Sequence, residues 1–360
     1  MALKTIHNVM NNINRHTKLL LFILFSFVGT IVFGQSNYKY IIAKEGDGIY
    51  RILERNHLDP IKYKKKFIAL NEKKMGKNEQ VYAGVKYKLP LVETTKSSKP
   101  TLVKSTAKSR PPLAIKKYKI FGSKYDTVHI RNNQLKGCVF YLVSGHGGPD
   151  PGAIETIENK MITEDEYAYD VTLRLGRELI RNGARVYIIT RDPKDGIRDD
   201  KFLKNNSNEL CYPNKKIPLN QRKRLRQRAN AVNTLYKKNK NYKYQRLLVL
   251  HVDAHLITTR IDLFFYYFKR SRTGKNMAYN MREIIRQKYD QYQPHRGYNG
   301  KVVSRDLHML SMTDPPTVFI ELGNIKNSRD QKRLLQPGNR QLLAEWMVEG
   351  VIYDYKKQKK

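Results

Sequence analysis

GCVFYLVSGHGGPDPGA, residues 137–153, is the stretch on which the fold turns. Its first nine residues are a continuous apolar run closed by glycine, the pattern of a strand buried on both faces. Downstream, EYAYDVTLRLGRELIRNG (166–183) has apolar residues at helical spacing and a closing glycine, so it reads as a capped helix. ARVYIIT (184–190) is the next strand, PLNQRKRLRQRANAVNTLYKK (218–238) a helix, and RLLVLHVDAH (246–255) and IDLFFYY (261–267) are strands. A helix over 273–289, a late buried strand PTVFIEL (316–322) and a closing helix over 340–357 complete the series. Such alternation predicts an α/β fold, a mostly parallel sheet flanked by helices.

Polar residues interrupt the ends of three of these strands, where α/β folds place their sites. His146 follows the first strand between glycines, which let a ligand or metal approach the backbone closely. His251 ends the strand in LLVLHVDAH, and Glu321 follows core residues in PTVFIELGN. A carboxylate is expensive to bury there without a metal or a hydrogen-bond donor. Taken singly each has a plainer reading, such as a hydrogen-bonded structural histidine; together they converge. Two imidazoles and a carboxylate suit zinc, with a fourth position for water whose pKa falls toward 7. A further carboxylate would then act as general base and proton donor to the leaving amine.

The bulk properties frame this chemistry. The 360-residue chain is 40% hydrophobic and carries a formal charge of +37 with a pI near 10.0. That charge suits polyanions, whether nucleic acid, acidic membrane surface or carboxylate-bearing wall polymer, and does not choose among them. Lys4, Arg15 and Lys18 precede the apolar run LLLFILFSFVGTIVF (19–33), which Gly34 and Gln35 follow. This is the pattern of an export signal over residues 1–34, with an uncleaved anchor as the alternative. The expected location is therefore exported, in the periplasm or cell envelope, with no stable membrane insertion after signal cleavage and no nucleic-acid partner. Export permits a disulfide between Cys138 and Cys211, but their spacing does not decide it. Cys138, within an apolar run, reads as a small buried hydrophobe.

GHGGPDPGA, a glutamate opening the next helix, LHVDAH and PTVFIELGNIKN together resemble the ordered motifs of the zinc-dependent N-acetylmuramoyl-L-alanine amidases, the third amidase family. The resemblance runs from about residue 136 to the C-terminus. It implies zinc-dependent hydrolysis of the amide joining N-acetylmuramic acid to L-alanine in peptidoglycan, in wall remodelling or daughter-cell separation. Carried over residue by residue, it makes His146, Glu164 and His251 the zinc ligands and Glu321 the catalytic acid/base. Glu164 is preferred to Glu166 because Val171–Leu175 match the apolar ladder of that helix. Two departures stand out: Val249–Leu250 replace the usual Ser-Ile before the histidine, and the nearest Ala-Asn pair is Ala229–Asn230. Asp253 and His255 are candidates for supporting or substrate contacts, or members of a solvated loop. Asp150 is expected to shape the glycine-rich loop. The Arg/Lys series QRKRLRQR (221–228) reads first as the solvent face of a helix and second as an anionic-polymer contact.

An insertion over 192–218 is polar and aperiodic, so a surface loop is expected. In some relatives an inserted element covers the site until a partner displaces it, which makes an activator protein a possible partner beside peptidoglycan.

Residues 38–91 form a smaller unit with a strand–helix–helix–strand pattern. Its Tyr40, Gly46–Asp47, Ile52, Asn71, Gly84 and Leu89–Pro90 resemble a LysM carbohydrate-binding module, although Gly48 stands where that module usually has threonine. The alternative is a basic βααβ adaptor without sugar affinity. Residues 92–117, rich in Ser, Thr, Lys and Pro, read as a flexible basic linker. The catalytic domain is then 118–360. Two other functional readings are a wall-binding protein that has lost activity and a zinc peptidase acting on the stem peptide. The first would be favoured by a missing ligand, whereas all four positions are filled. The second needs an arginine for a terminal carboxylate, which the sequence does not locate.

Overall fold

The computed structural model describes residues 38–43, 47–56, 58, 60–76, 81–91, 112–293 and 296–359. The expected signal segment and residues 92–111 of the expected linker lie outside these. No helix among the described residues is long and apolar enough to cross a membrane.

In the N-terminal unit, β1 (Tyr40–Ile42) pairs antiparallel with β2 (Lys86–Lys88), and α1 (Ile49–Arg55) and α2 (Pro60–Asn71) lie between them in sequence. Ile52, Leu53, Phe67 and Tyr87 are fully buried and form its core. Asn71 is a structural bracket: its Nδ2 donates to the carbonyls of Phe67 and Lys88, and its Oδ1 accepts from the Lys88 amide at 2.7 Å. Arg55 closes the entry to α1 with a two-pronged contact to Asp47 at 2.9 and 2.7 Å.

The last residues of the expected linker are ordered. Ala114–Lys117 form β3, antiparallel to β4 (Thr127–Ile130), whose Val128 and Ile130 reach the main core. All four residues of β3 are exposed, which explains why their sequence carries no core signal.

The larger unit is built on a six-stranded mixed sheet. β5 (Cys138–Ser144) leads through the hairpin β6 (Ile154–Ile157) and β7 (Lys160–Thr163) into α3 (Glu164–Arg181). Next come β8 (Arg185–Ile188), β9 (Thr190–Arg191), β10 (Leu210–Cys211), β11 (Lys215–Lys216), α4 (Gln221–Lys238), β12 (Tyr244–Asp253), β13 (Phe264–Tyr267) and α5 (Arg272–Tyr292). β14 (Val302–Ser304), α6 (His308–Ser311), β15 (Thr317–Asn324), α7 (Ser328–Leu335) and α8 (Pro337–Gln358) complete it. Strand order is β14-β13-β15-β12-β5-β8. β8, β5, β12 and β15 run parallel to one another, while β13 is antiparallel to β15 and parallel to β14.

Side chains alternate between two cores because successive strand residues point to opposite faces. Phe140, Leu142, Leu248, Leu250, Val318 and Ile320 pack with α3, α5 and α8. Val139, Tyr141, Val143, Leu247, Val249 and Phe319 face α4 and α6. Val249 and Leu250, which replace the usual Ser-Ile, are thus ordinary core residues, one per face. Cys138 and Cys211 are both free buried thiols, assigned to the two different cores.

The chain leaves β5 for β8 on one side and returns to β12 on the other. The strand order therefore reverses between β5 and β12, and the crevice at their C-terminal ends is where such sheets bind ligands.

The insertion is not a free surface loop. Ile197, Leu203, Glu209, Cys211 and Ile217 are buried, and β10 pairs with β9 and β11. Asp170 of α3 anchors it, accepting Arg174 at 2.8 Å, Arg340 of α8 at 2.6 Å and the Arg198 amide at 2.8 Å. Arg340 in turn donates to the carbonyls of Arg198 and Asp200. Burial alone would raise the Asp170 carboxyl, but the two guanidiniums hold it below its ordinary range. The polar composition that suggested a loop instead satisfies a buried ion network.

Candidate metal centre

The crevice gathers three of the four expected residues into one cluster. His146, Glu164 and His251 each present a ligand atom, and these atoms all lie within 4.8 Å of one another.

His146 sits just beyond β5 with φ at +57°, a left-handed conformation rare for a non-glycine residue. The Gly147 amide bonds the Asp150 carbonyl at 2.7 Å, and Arg228 donates to the His146 carbonyl. Its Nδ1 lies 2.8 Å from Asp150 Oδ2, which also receives Arg224. This leaves Nε2 facing Glu164 Oε2 at 3.2 Å. A carboxylate on one imidazole nitrogen fixes the tautomer that exposes the other as a ligand. Burial alone would lower the imidazole pKa, but Asp150 and Glu164 raise it to about 9.

Glu164 is the first residue of α3 and is buried. Its Oε1 accepts from His251 Nδ1 at 2.7 Å and the Val252 amide at 2.9 Å, and its Oε2 from the Ala153 amide at 3.0 Å. Burial alone would push this carboxyl up; the two histidines outweigh it and hold it well below its ordinary range. Glu166, the other candidate, points elsewhere: it pairs with Arg198 at 2.7 Å and accepts the Asn206 amide.

His251 stacks on Phe319 with ring centroids 4.4 Å apart, which fixes its plane. Its pKa is lowered, first by burial and against the pull of Glu164. Two glycines make room for the cluster. A Cβ on Gly145 would fall 2.3 Å from the His251 ring, and one on Gly152 would fall 2.6 Å from Glu164 Oε2.

Glu321 lies on β15, in register with His251 on β12 and with Phe264 on β13. It is 8% exposed, and its Oε2 is buried without a hydrogen-bond partner among the described residues. Burial, then the negative charges of Glu164 and Asp253, push its carboxyl well above the ordinary range. Beside two imidazoles and a second carboxylate, this unpartnered oxygen fits a site completed by a cation. The nitrogen, nitrogen and oxygen donors suit zinc and leave room for water.

Other sequence candidates fall outside the cluster. Asp253 and His255 pair with each other at 2.9 Å, His255 remaining half exposed. The Arg-rich helix α4 is only partly a solvent face. Arg222, Lys223 and Arg226 are exposed, whereas Arg224 and Arg228 are buried against Asp150 and the His146 backbone. Their spacing of four residues is the signal that could have separated them from their neighbours. Glu209 of the insertion accepts the Gly148 amide at 2.7 Å, and burial raises its carboxyl to about 7. It carries no local sequence signal.

Residues 141–353, more than half of the chain, match the family described as N-acetylmuramoyl-L-alanine amidase. A relative from Staphylococcus epidermidis described as probable cell wall amidase LytH is 24% identical over 222 residues. That match covers 62% of this chain and 60% of the relative, so the chain spans about three-fifths of the length of the curated relatives it matches. Similar solved structures include the CwlD amidase from Clostridioides difficile in complex with the GerS lipoprotein, at 18% identity and TM-score 0.44 over 61% of this chain and 98% of that one. Another is the amidase Ami1 from Mycobacterium smegmatis, also at 18% identity and TM-score 0.44, over 62% and 99% of the two chains.

Proposed function

Because the chain belongs to the N-acetylmuramoyl-L-alanine amidase family, we propose that it hydrolyses the amide between N-acetylmuramic acid and L-alanine in peptidoglycan, as a zinc enzyme of the cell envelope. The observation that carries this reading is the convergence of His146, Glu164 and His251 in the crevice beside Glu321, whose Oε2 is buried without a partner among the described residues.

His146, Glu164 and His251 would hold the ion. Zinc bound there supplies Lewis-acid polarisation of a carbonyl oxygen and a water pKa lowered to about 7. The remaining work falls to the chain's own groups. Asp150 keeps the His146 ring oriented, and the backbone amides of Ala153 and Val252 fix the Glu164 carboxylate. Phe319 holds the plane of His251. Glu321 takes the proton from the attacking water at its carboxylate and returns it to the departing amide nitrogen.

Residues 38–91 would serve as a LysM-like glycan-binding module that keeps the catalytic unit on its polymer, joined through the segment that ends near residue 113. The formal charge of +37 supports retention on a carboxylate-rich wall. A location in the envelope accords with the description of the staphylococcal relatives as cell wall amidases.

The test is product analysis of peptidoglycan digested with the full chain, with and without a chelator. Zinc-restorable release of stem peptides that begin with L-alanine, lost in Glu321→Ala, is the expected result. Peptides cut at another bond, or release that persists in Glu321→Ala, would overturn the assignment.

A further inference from the structure

A second polar site lies apart from the histidine cluster and shares no lining residue with it. Five cationic side chains line a cleft of about 600 Å³: Arg260, Arg296, Arg329, Lys332 and Arg333. Tyr289, at the end of α5, and Trp346 of α8 form its apolar wall, and no carboxylate lines it among the described residues. A volume of that size accommodates a ligand well beyond a single ion.

The cations are held there deliberately. Asp262 is fully buried beneath them with φ at +58°, a left-handed conformation that aspartate tolerates better than most residues. Its carboxylate contacts Arg296 at 2.5 Å, Arg333 at 2.9 Å and Arg260 at 3.5 Å. Asp330 takes Arg333 at 3.1 Å. Among the described residues, five cations therefore meet two carboxylates, which leaves three positive charges without a carboxylate partner. Arg329 and Lys332 are exposed and have no carboxylate partner among the described residues. Crowding like charges around one cleft is unfavourable in the free protein and becomes favourable when an anion enters.

The chemistry of the walls narrows the ligand. Arg333 is committed to Asp262, Asp330, the Leu322 carbonyl and the Tyr289 hydroxyl. The Arg296 guanidinium lies 4.4 Å over the Tyr289 ring, and Tyr292 stacks on Trp346 at 5.5 Å. Each aromatic wall thus already has a stacking partner, so recognition rests on the cationic rim. An excess of three charges is more than one carboxylate neutralises. A phosphate brings up to two charges and several acceptor oxygens that match guanidinium forks.

We propose that this cleft binds a phosphate-bearing ligand, with Arg329 and Lys332 as its free cationic contacts and Arg260 and Arg296 as the pre-positioned pair. The phosphate has two sources, a soluble phosphate ester or a phospholipid headgroup.

Trp346 is the chain's single tryptophan, so its fluorescence reports on this cleft alone. The full chain is titrated with inorganic pyrophosphate at constant ionic strength, by fluorescence and by calorimetry, beside the double variant Arg329→Gln/Lys332→Gln. A saturable change that weakens at least ten-fold in the variant is expected, with acetate ineffective over the same range. If phosphatidylglycerol vesicles, but not phosphatidylcholine vesicles, give the same change and pyrophosphate competes with them, the source is a headgroup. A response to pyrophosphate without one to either vesicle supports a soluble ester. Absence of both a fluorescence change and binding heat, or equal affinity in the double variant, overturns the proposal. None of these readouts depends on amide hydrolysis.

Discussion

His251 and Glu321 stand opposite one another on neighbouring parallel strands, β12 and β15, at the C-terminal edge of the sheet. The pairing places a candidate metal ligand and a candidate acid/base on two interior strands of the sheet. Among the described residues no hydrogen-bond donor reaches the Glu321 Oε2. Glu321→Gln keeps the shape and removes the titratable oxygen. Amide hydrolysis is expected to fall about 10²–10⁴-fold, the usual span of general acid–base contributions. Metal content should stay unchanged, checked by elemental analysis of the variant.

Asp150 orients the candidate ligand His146 through its Nδ1. Asp150→Asn leaves a weaker partner at Nδ1, where the carboxylate sits at 2.8 Å. Zinc affinity is expected to drop about 10–100-fold, as for other groups that orient a histidine ligand. Competition titration with a chromophoric chelator measures this, and excess zinc should restore most of the activity.

Gly145 is required by close approach. Its added Cβ would lie 2.3 Å from the His251 ring, so Gly145→Ala must push the imidazole aside. Loss of stoichiometric zinc binding is expected, with destabilisation of about 1–3 kcal/mol from overpacking. Thermal unfolding separates that loss from misfolding, because the variant should still melt cooperatively.

Glu178, on α3 away from the cluster, gives a pH dependence of stability. Burial, then the nearby charge of Glu345, raises its carboxyl from 4.5 to about 7. A raised carboxyl is at no disadvantage below the unfolded value. Between pH 4.5 and 7 the folded state becomes progressively less stable, and above 7 the loss is complete. Glu178→Gln should therefore stabilise the protein at pH 8 by up to about 3 kcal/mol and change little at pH 4. Denaturant unfolding at the two pH values tests it; an equal effect at both would contradict the assigned cause.

A chain lacking residues 38–91 should hydrolyse small soluble peptidoglycan fragments at the full rate. Its retention on intact sacculi should fall by at least about ten-fold if those residues act as a tether, by the ordinary gain from linking two binding units. Pelleting assays with sacculi provide the measurement. Undiminished retention would leave the unit as an adaptor without sugar affinity.

The strand series, the parallel core and the polar strand ends at His146, His251 and Glu321 were legible in the sequence, because hydrophobic periodicity and strand-ending polar residues are local signals. The buried runs of β5, β12 and β15 read directly as sheet interior. Tertiary structure supplies the physical ground for Glu164, which the motif ladder at Val171–Leu175 had already preferred to Glu166. Glu164 reaches His251 across 87 positions of chain, while Glu166, two residues on, turns to Arg198. It also decided that Arg224 and Arg228 face inward and that the insertion is bolted to α3 and α8 through Asp170. In each case a charged residue is buried, and composition marks charges as solvent-facing. Only the packed chain brings the distant partner that makes burial of the charge possible.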